Sequence, residues 1–425
     1  MKYKIITLLI ALLALLGWYL KPFYDFYAYQ NKAPMYPWGQ VLIPAERPQQ
    51  SEVFDIDYQS VAQQASDLLA AHSKHIYAPG ITAAVAINDQ LVWAASAGWA
   101  DIETKQPMRT DSQLRIGSTS KAVTAAGLAR LIQAGKVTLD TSLGEVYASL
   151  PNPTWRPITL RQLASHMSGM PHYNKNTELL GLLEFMRLDK HYAEVGDALK
   201  LFDESQLLFP PGSQFEYSSL GTVVISDVIA QRADMRYQNW MVNEVFTPLQ
   251  LHHTVEEQQA SKLVTFYWQS PTQQEQVRTW RAVDLSQRLA GGGWVSTSKD
   301  LAMFGQGFMR EEFIGNELRE QFWTPQTLNN GEVNPQNYAL GWRQGSLSLA
   351  NPIGDIRYYH HGGVSRGAQG FLLVVPQYHL SMAVNINTKT DKFSDFSAVC
   401  KELVSLFVLQ QFRLRGSCQD NDSYC

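Results

Sequence analysis

Cysteine is scarce in this chain: its 425 residues hold three, Cys400, Cys418 and Cys425. None forms a C-x-x-C pair, which argues against a zinc ribbon or a thioredoxin-like redox site. No H-E-x-x-H occurs, and the pairs His72/His75 and His252/His253 carry no further ligand pattern. No metal and no other cofactor is therefore expected. Charge is sparse as well, at 17% of residues with a formal net of -4 and no long lysine or arginine run. That speaks against nucleic acid as a partner. Disorder is excluded by a hydrophobic content of 45%. The length allows one large or two ordinary domains with a sizeable core.

One long apolar run stands out, at residues 5–20. It is somewhat long for a signal-peptide core and somewhat short for a comfortable membrane span. No A-x-A-like cleavage site and no lipobox cysteine follows. Trp18, Tyr19, Phe23 and Tyr24 follow instead and suit a membrane interface. The segment reads as a retained inner-membrane anchor, with a cleaved signal peptide as the alternative. Lys2 and Lys4 precede the run, so the N-terminus is expected in the cytoplasm and the body in the periplasm. In an oxidising compartment Cys418 and Cys425 are candidates for a disulfide around "QDNDSY", and Cys400, in an apolar-periodic segment, reads as a buried free thiol. The alternative leaves all three unpaired.

Five prolines and many aromatics make residues 21–59 read as an extended stalk, followed by a body over 60–416 and a polar tail over 417–425. In the body, "GITAAVAINDQLVWAASAGWAD" reads as two strands joined at "NDQ". Further strands are expected at "IRYYHHGG", "GAQGFLLVVP" and "LSMAVNIN". Helices are expected between these two groups, with 176–205 charged and helical, and a last helix near 395–413. Strands at both ends and helices in the middle predict an α/β fold with an inserted helical region.

The stretch "LRIGSTSKAVTAAGLARLIQAGK" places Ser118 and Lys121 three apart at a helix mouth. Helix stability does not ask for a cation there, because the first turn favours negative charge. Residues three apart share a face, so Lys121 can reach Ser118. A desolvated lysine can act as a base toward a serine hydroxyl, and the free N–H groups of a helix start suit an oxyanion. The plain alternative is a capping serine beside a solvated lysine. A second element, "FPPGSQFEYSSLG", puts Tyr217 on a loop just before a helix. In a third, "YYHHGGVSRGAQGFLLVVP", glycines inside a strand admit close backbone approach.

In this order, "IGSTSKAVTA", "HMSGMPHY", "FPPGSQFEYSSLG", "LAGGGWVSTSKDL" and "HGGVSRGAQGFLLVVP" resemble the serine β-lactamase and penicillin-binding-protein superfamily. The likeness, over roughly residues 60–413, is to the class C-like branch and its serine β-lactamase-like peptidase and esterase subfamily, which includes a mitochondrial member. The resemblance implies a β-lactamase/transpeptidase-like fold, an antiparallel sheet flanked by helices. It also implies a serine hydrolase working through an acyl-serine on peptide, amide or ester bonds. Ser118 would be the nucleophile. Lys121 and Tyr217 would handle the proton, Tyr217 as a phenolate favoured by a nearby cation. The backbone N–H groups of Ser118 and Val364 would form the oxyanion hole.

Departures from the pattern carry information. Ser219 stands where the family has asparagine, and Gly362 where it has a threonine. His361 stands in place of a lysine, with His360 as the alternative if the strand register slips. These changes imply weak or no β-lactamase activity and a less positive site, where turnover falls below about pH 7 as groups of the Lys121, Tyr217 and His361 cluster protonate and His361 shapes the acidic limb. Ser219, Gly362, Gly363 and Arg366 are the candidate substrate contacts. Arg366 would bind a carboxylate, against the plain reading of a surface arginine. Glu216 reads as a solvated loop residue, His166 as structural, and Gly291, Gly292 and Gly293 as a tight turn beside the site. A non-catalytic cell-envelope protein on the same scaffold is the competing reading. The oligomeric state is open.

Overall fold

The strands that the sequence marks most strongly show no exposed face. Every residue of Gly80–Ile87, Ala368–Val375 and Leu380–Ile386 is buried. A sheet so apolar needs cover on both sides. In the computed structural model of the chain, which describes residues 2–351 and 353–419 and side-chain surroundings up to residue 415, helices supply that cover. The main sheet is eight-stranded. Seven strands run in the order Arg343–Leu349, Gly354–Ser365, Ala368–Val375, Leu380–Ile386, Gly80–Ile87, Gln90–Asp101 and Gln49–Val53. The short Gln106–Pro107 pairs beside Gln90–Asp101, and all neighbours are antiparallel. Leu380–Ile386 pairs with Gly80–Ile87 at the centre, so the sheet joins strands from both ends of the chain.

Helices Gln59–His75 and Phe393–Gln419 cover one face, packing Leu69, Leu403 and Phe407 with Ile81 and Val384. Helix Ser298–Met309 lies on the other, where Ala302 meets Ala84, Ala86 and Ala94. Beyond it sits the helical region inserted between the strand groups. At its centre is helix Ser120–Gln133, buried nearly all round because its inner positions are mostly alanine, glycine and small polar residues. It packs with Ser219–Ala233, whose start is capped by Ser218 accepting from the Gly221 N–H at 3.1 Å. This is the expected antiparallel sheet flanked by helices with an inserted helical region.

The segment expected as a stalk is built differently. One helix runs over Lys2–Tyr29, with Pro22 inside it, and its most apolar window has a mean hydropathy of 2.0. Its last turn belongs to the body. Asp25 is buried between Lys21 at 2.6 Å and Arg281 at 3.9 Å. The Tyr29 hydroxyl donates to the Ser365 carbonyl at 2.7 Å and accepts from the Gly367 N–H at 3.2 Å. Strand Gln40–Leu42 pairs with Gln276–Thr279, and Gln49–Val53 edges the main sheet. Tyr29, packed 4.5 Å from the Trp280 ring, shows why a composition that looks extended instead docks.

Between 176 and 205 only Leu179–Arg187 is α-helical, with a short 3-10 turn at Val195–Leu201. Leu188 takes a left-handed conformation that ends the helix. The last helix runs into the expected tail. Cys400 is buried and free. Cys425 and the side chain of Cys418 lie outside the described residues, and the expected disulfide with them.

Candidate active site

Two glycines decide where Ser118 sits. Gly117 has φ +53°, and a Cβ there would lie 2.6 Å from the Val364 nitrogen. At Gly363 a Cβ would lie 2.0 Å from the Ile116 oxygen and 2.7 Å from the Ser118 nitrogen. No side chain fits at either position, so the strand Gly354–Ser365 runs directly against the turn that carries Ser118. Ser118 and Val364 therefore line the same cavity, of about 590 Å³. Their adjacent backbones suit an oxyanion pair.

Lys121 is the second residue of helix Ser120–Gln133, one turn beyond Ser118, and is 2% exposed. Its Nζ donates to Ser219 Oγ at 2.8 Å and to the Gly291 carbonyl at 2.7 Å, and lies 3.2 Å from Ser118 Oγ. Burial pushes its pKa well below the usual lysine value, and the charges of Arg343 and Arg288 push the same way. A neutral amine has two N–H donors and one lone pair. With both donors spent on Ser219 and Gly291, the lone pair is left for the Ser118 hydroxyl.

The Tyr217 hydroxyl is near enough to Ser118 for the serine to favour its ionised form, and Lys121 Nζ stands 4.8 Å from the centre of its ring. The expected phenolate is not what the environment favours. Burial raises the Tyr217 pKa to about 12, outweighing the Arg343 charge that lowers it. Tyr217 is a phenol at neutral pH and can relay a proton. His166 packs 4.3 Å from the Tyr217 ring and accepts from the Ser218 N–H at 3.3 Å. His166 has φ +62°, a left-handed conformation that a bulky residue keeps only when packing holds it. It is structural, as its motif suggested, but its structural task is to seat the tyrosine.

Strand alternation turns His361 inward and His360 outward. His361 is fully buried, 2.9 Å from the Tyr338 hydroxyl and with its ring 6.4 Å from that of Tyr217. His360 stacks on Phe371 at 5.1 Å, on the other face. Burial first, then Arg343 and Lys121, push the His361 pKa well below the ordinary histidine value. It stays neutral across the physiological range, so the expected control of the acidic limb by His361 is corrected. The site nevertheless has a cation that the sequence reading did not count. Arg343, opposite His360 on the neighbouring strand, holds its guanidinium 5.4 Å from the Tyr217 ring and 4.8 Å from that of Tyr338. No motif marks it. Only the strand pairing brings it to the site.

Among the candidate substrate contacts, Ser219 is 2% exposed, lines the cavity and holds Lys121. Gly362 faces away: a Cβ there would meet the Phe393 ring at 2.4 Å, across the sheet. Gly363 is covered by the 116–119 backbone, so it sets the close approach rather than touching substrate. Arg366 is half-buried and lines the cavity wall. Glu216 pairs with Lys175 at 2.7 Å. Gly291 and Gly292 border the cavity, as a turn beside the site should. Sequence reasoning missed His172, which accepts from the Ser219 N–H at 3.1 Å, and Arg288, which lines the cavity.

The family model described as Beta-lactamase matches residues 65–398. The chain belongs to the β-lactamase family of serine hydrolases. It is 25% identical over 414 residues to the mouse serine beta-lactamase-like protein LACTB, mitochondrial, covering 76% of this chain and 74% of that one. With penicillin-binding protein 4* of Bacillus subtilis the identity is 25% over 337 residues, covering 75% and 70%. Among solved structures, the D-amino acid amidase of Ochrobactrum anthropi SV3 with D-phenylalanine superposes with a TM-score of 0.67 at 18% identity, covering 84% of this chain and all of that one. EstCE1, a hydrolase with promiscuous acyltransferase activity, gives 0.65 at 19%, covering 83% and all of that chain.

Proposed function

We propose that this protein is a membrane-tethered serine hydrolase that opens amide, peptide or ester bonds through an acyl-Ser118 intermediate. The observation that carries the reading is the buried Lys121 Nζ, held by Ser219 and the Gly291 carbonyl and 3.2 Å from Ser118 Oγ. Lys121 takes the hydroxyl proton as Oγ attacks the carbonyl carbon. The tetrahedral oxygen gathers negative charge between the N–H groups of Ser118 and Val364. On collapse the Lys121 ammonium returns a proton through the Tyr217 phenol to the leaving group. Water then enters, Lys121 again accepts a proton, and the acid is released.

Ser219 holds Lys121 and does not offer an amide to the substrate. Gly362 offers no hydroxyl. Both favour simple acyl donors over β-lactams. The helix Lys2–Tyr29 supports tethering, and Lys2 and Lys4 ahead of its apolar run support a body on the outer side. Its Tyr19 ring lies 5.1 Å from the Arg187 guanidinium. Arg187 closes the helix that begins with Leu179 and Leu180, 69% and 74% exposed, an apolar patch suited to a membrane surface.

The test is labelling with a fluorophosphonate and with a fluorescent penicillin, followed by peptide mapping. A fluorophosphonate adduct on Ser118, lost in Ser118→Ala, supports the reading. No adduct under any condition sinks it and leaves a binding protein on a hydrolase scaffold.

A further inference from the structure

Four arginines gather around the end of strand Gly354–Ser365, and they are not treated alike. Arg115 donates to both carboxylate oxygens of Glu257, each contact at 2.6 Å, and Arg281 faces Asp25 at 3.9 Å. Arg288 and Arg366 have no acidic partner among the described residues. Arg288 is 9% exposed, its guanidinium 4.1 Å from the Tyr173 ring centre. Arg366 lies 5.0 Å from the Phe26 ring centre. Both direct Nη2 to the same acceptor, the Phe185 carbonyl, at 3.2 and 3.4 Å. Both keep a buried Nε–H with no acceptor. A guanidinium carries five donors in a fork that matches a carboxylate. Each arginine here uses one, and both line the cavity onto which Ser118 opens. Leaving charge and donors unmatched at that depth is costly unless a ligand completes them.

Position says which part of a substrate would do so. His361 and Val364 lie on strand Gly354–Ser365 and Arg366 in the turn just past its end, with the oxyanion donor Val364 between the other two along the chain; five residues at ~3.3 Å each span at most about 16 Å. Tyr217, which would protonate the leaving group, sits at the His361 end. The acyl portion therefore extends the other way, toward the arginines. This is not the position where the family pattern places its lysine, which His361 occupies.

We propose that Arg288 and Arg366 form a carboxylate subsite for the acyl portion, so that the enzyme prefers acyl groups ending in a carboxylate. The proposal rests on the acyl-Ser118 reading. The apolar wall between, from Phe26, Tyr173, Leu182 and Phe185, would hold the methylene chain.

The experiment compares 4-nitrophenyl hemiesters of glutaric, adipic and suberic acids with neutral 4-nitrophenyl esters of equal carbon number. At the best length the hemiester should lead in kcat/KM by about tenfold or more, as charge-assisted hydrogen bonds allow. Arg288→Gln and Arg366→Gln should bring that ratio close to one, and Arg288→Lys should keep an intermediate preference. A wild-type ratio near one at every length, or a ratio unmoved by both glutamine variants, overturns the proposal. Calorimetric titration of free suberate into Ser118→Ala protein reads the subsite without turnover. Binding that Arg288→Gln weakens about tenfold or more supports it. No saturable binding, or octanoate binding as tightly, overturns it. Failure of the hydrolase reading has a different signature: no ester is turned over and Ser118 takes no adduct, whatever suberate does.

Discussion

On the floor of the Ser118 cavity, Lys121 gives its donors to Ser219 and Gly291 and meets the nucleophile with what remains. On the outer wall, Arg288 and Arg366 keep their charge with buried N–H groups unmatched. The floor comes from the inserted helical region and the main sheet. Part of the wall comes from the N-terminal segment, through Phe26, Tyr27, Gln30 and Lys32. Burial acts on both, with different results. A lysine sheds its proton when desolvated, whereas an arginine keeps its charge. Burial thus makes a base of Lys121 and a waiting cation of Arg288. The contrast separates chemistry, which the floor performs, from selection, which the wall performs.

The floor breaks most completely at the nucleophile. Ser118→Ala should lower turnover by on the order of 10³ or more while leaving the fold intact; steady-state hydrolysis of a neutral ester and a thermal melt check both halves. Lys121→Arg keeps a cation but no lone pair at neutral pH, so it should fall nearly as far, by on the order of 10³. An arginine variant with near-normal acylation would mean that the site needs charge rather than a base.

The wall breaks with truncation. Removing residues 1–20 should give a soluble, active protein. Removing 1–32 takes away Tyr29, with its two backbone contacts at Ser365 and Gly367. Loss of that buried ring alone should cost about 3–5 kcal/mol. Urea unfolding of the two truncated proteins measures the difference, and hydrolysis assays should show KM rising in the shorter one.

The smallest effect is expected at His361. Activity requires the free Lys121 amine, so the rate should rise with pH through the depressed Lys121 pKa and then level. Tyr217, raised to about 12, adds no basic limb near neutrality. His361 is neutral throughout, so His361→Gln should leave the midpoint of the acidic limb in place. Rate profiles from pH 5 to 10 decide. A limb that vanishes in the variant would hand the titration back to the histidine.

Much of this floor was legible in the sequence. Ser118 and Lys121 share a helical face through local spacing, and Tyr217 sits one residue before a capping serine. The strands at the two chain ends, though not their order in the sheet, followed from apolar runs and a turn. Electrostatics was not legible, because it depends on contacts distant in sequence. Arg343 reaches Tyr217 only through pairing with the next strand, and Arg288 reaches the cavity from just before the glycine turn at Leu289–Gly293, where no motif marks it. The phenolate was inferred from a neighbouring charge that burial outweighs, and the titrating His361 from the ordinary histidine value, which burial and the charges of Arg343 and Lys121 together depress. The stalk failed for a related reason: aromatics and prolines look extended until a body is present for them to dock on.

The protonation state of Lys121 is the centre of the account, and it can be read directly. Protein lacking residues 1–20 and carrying lysine labelled with carbon-13 at Cε can be titrated by NMR, with Lys121→Arg protein assigning the resonance. The account predicts one lysine signal, absent from the variant, that titrates well below the ordinary lysine range and reports a neutral amine at neutral pH. If the Lys121 signal titrates with the surface lysines, the amine is charged when Ser118 must lose its proton, and the mechanism is contradicted.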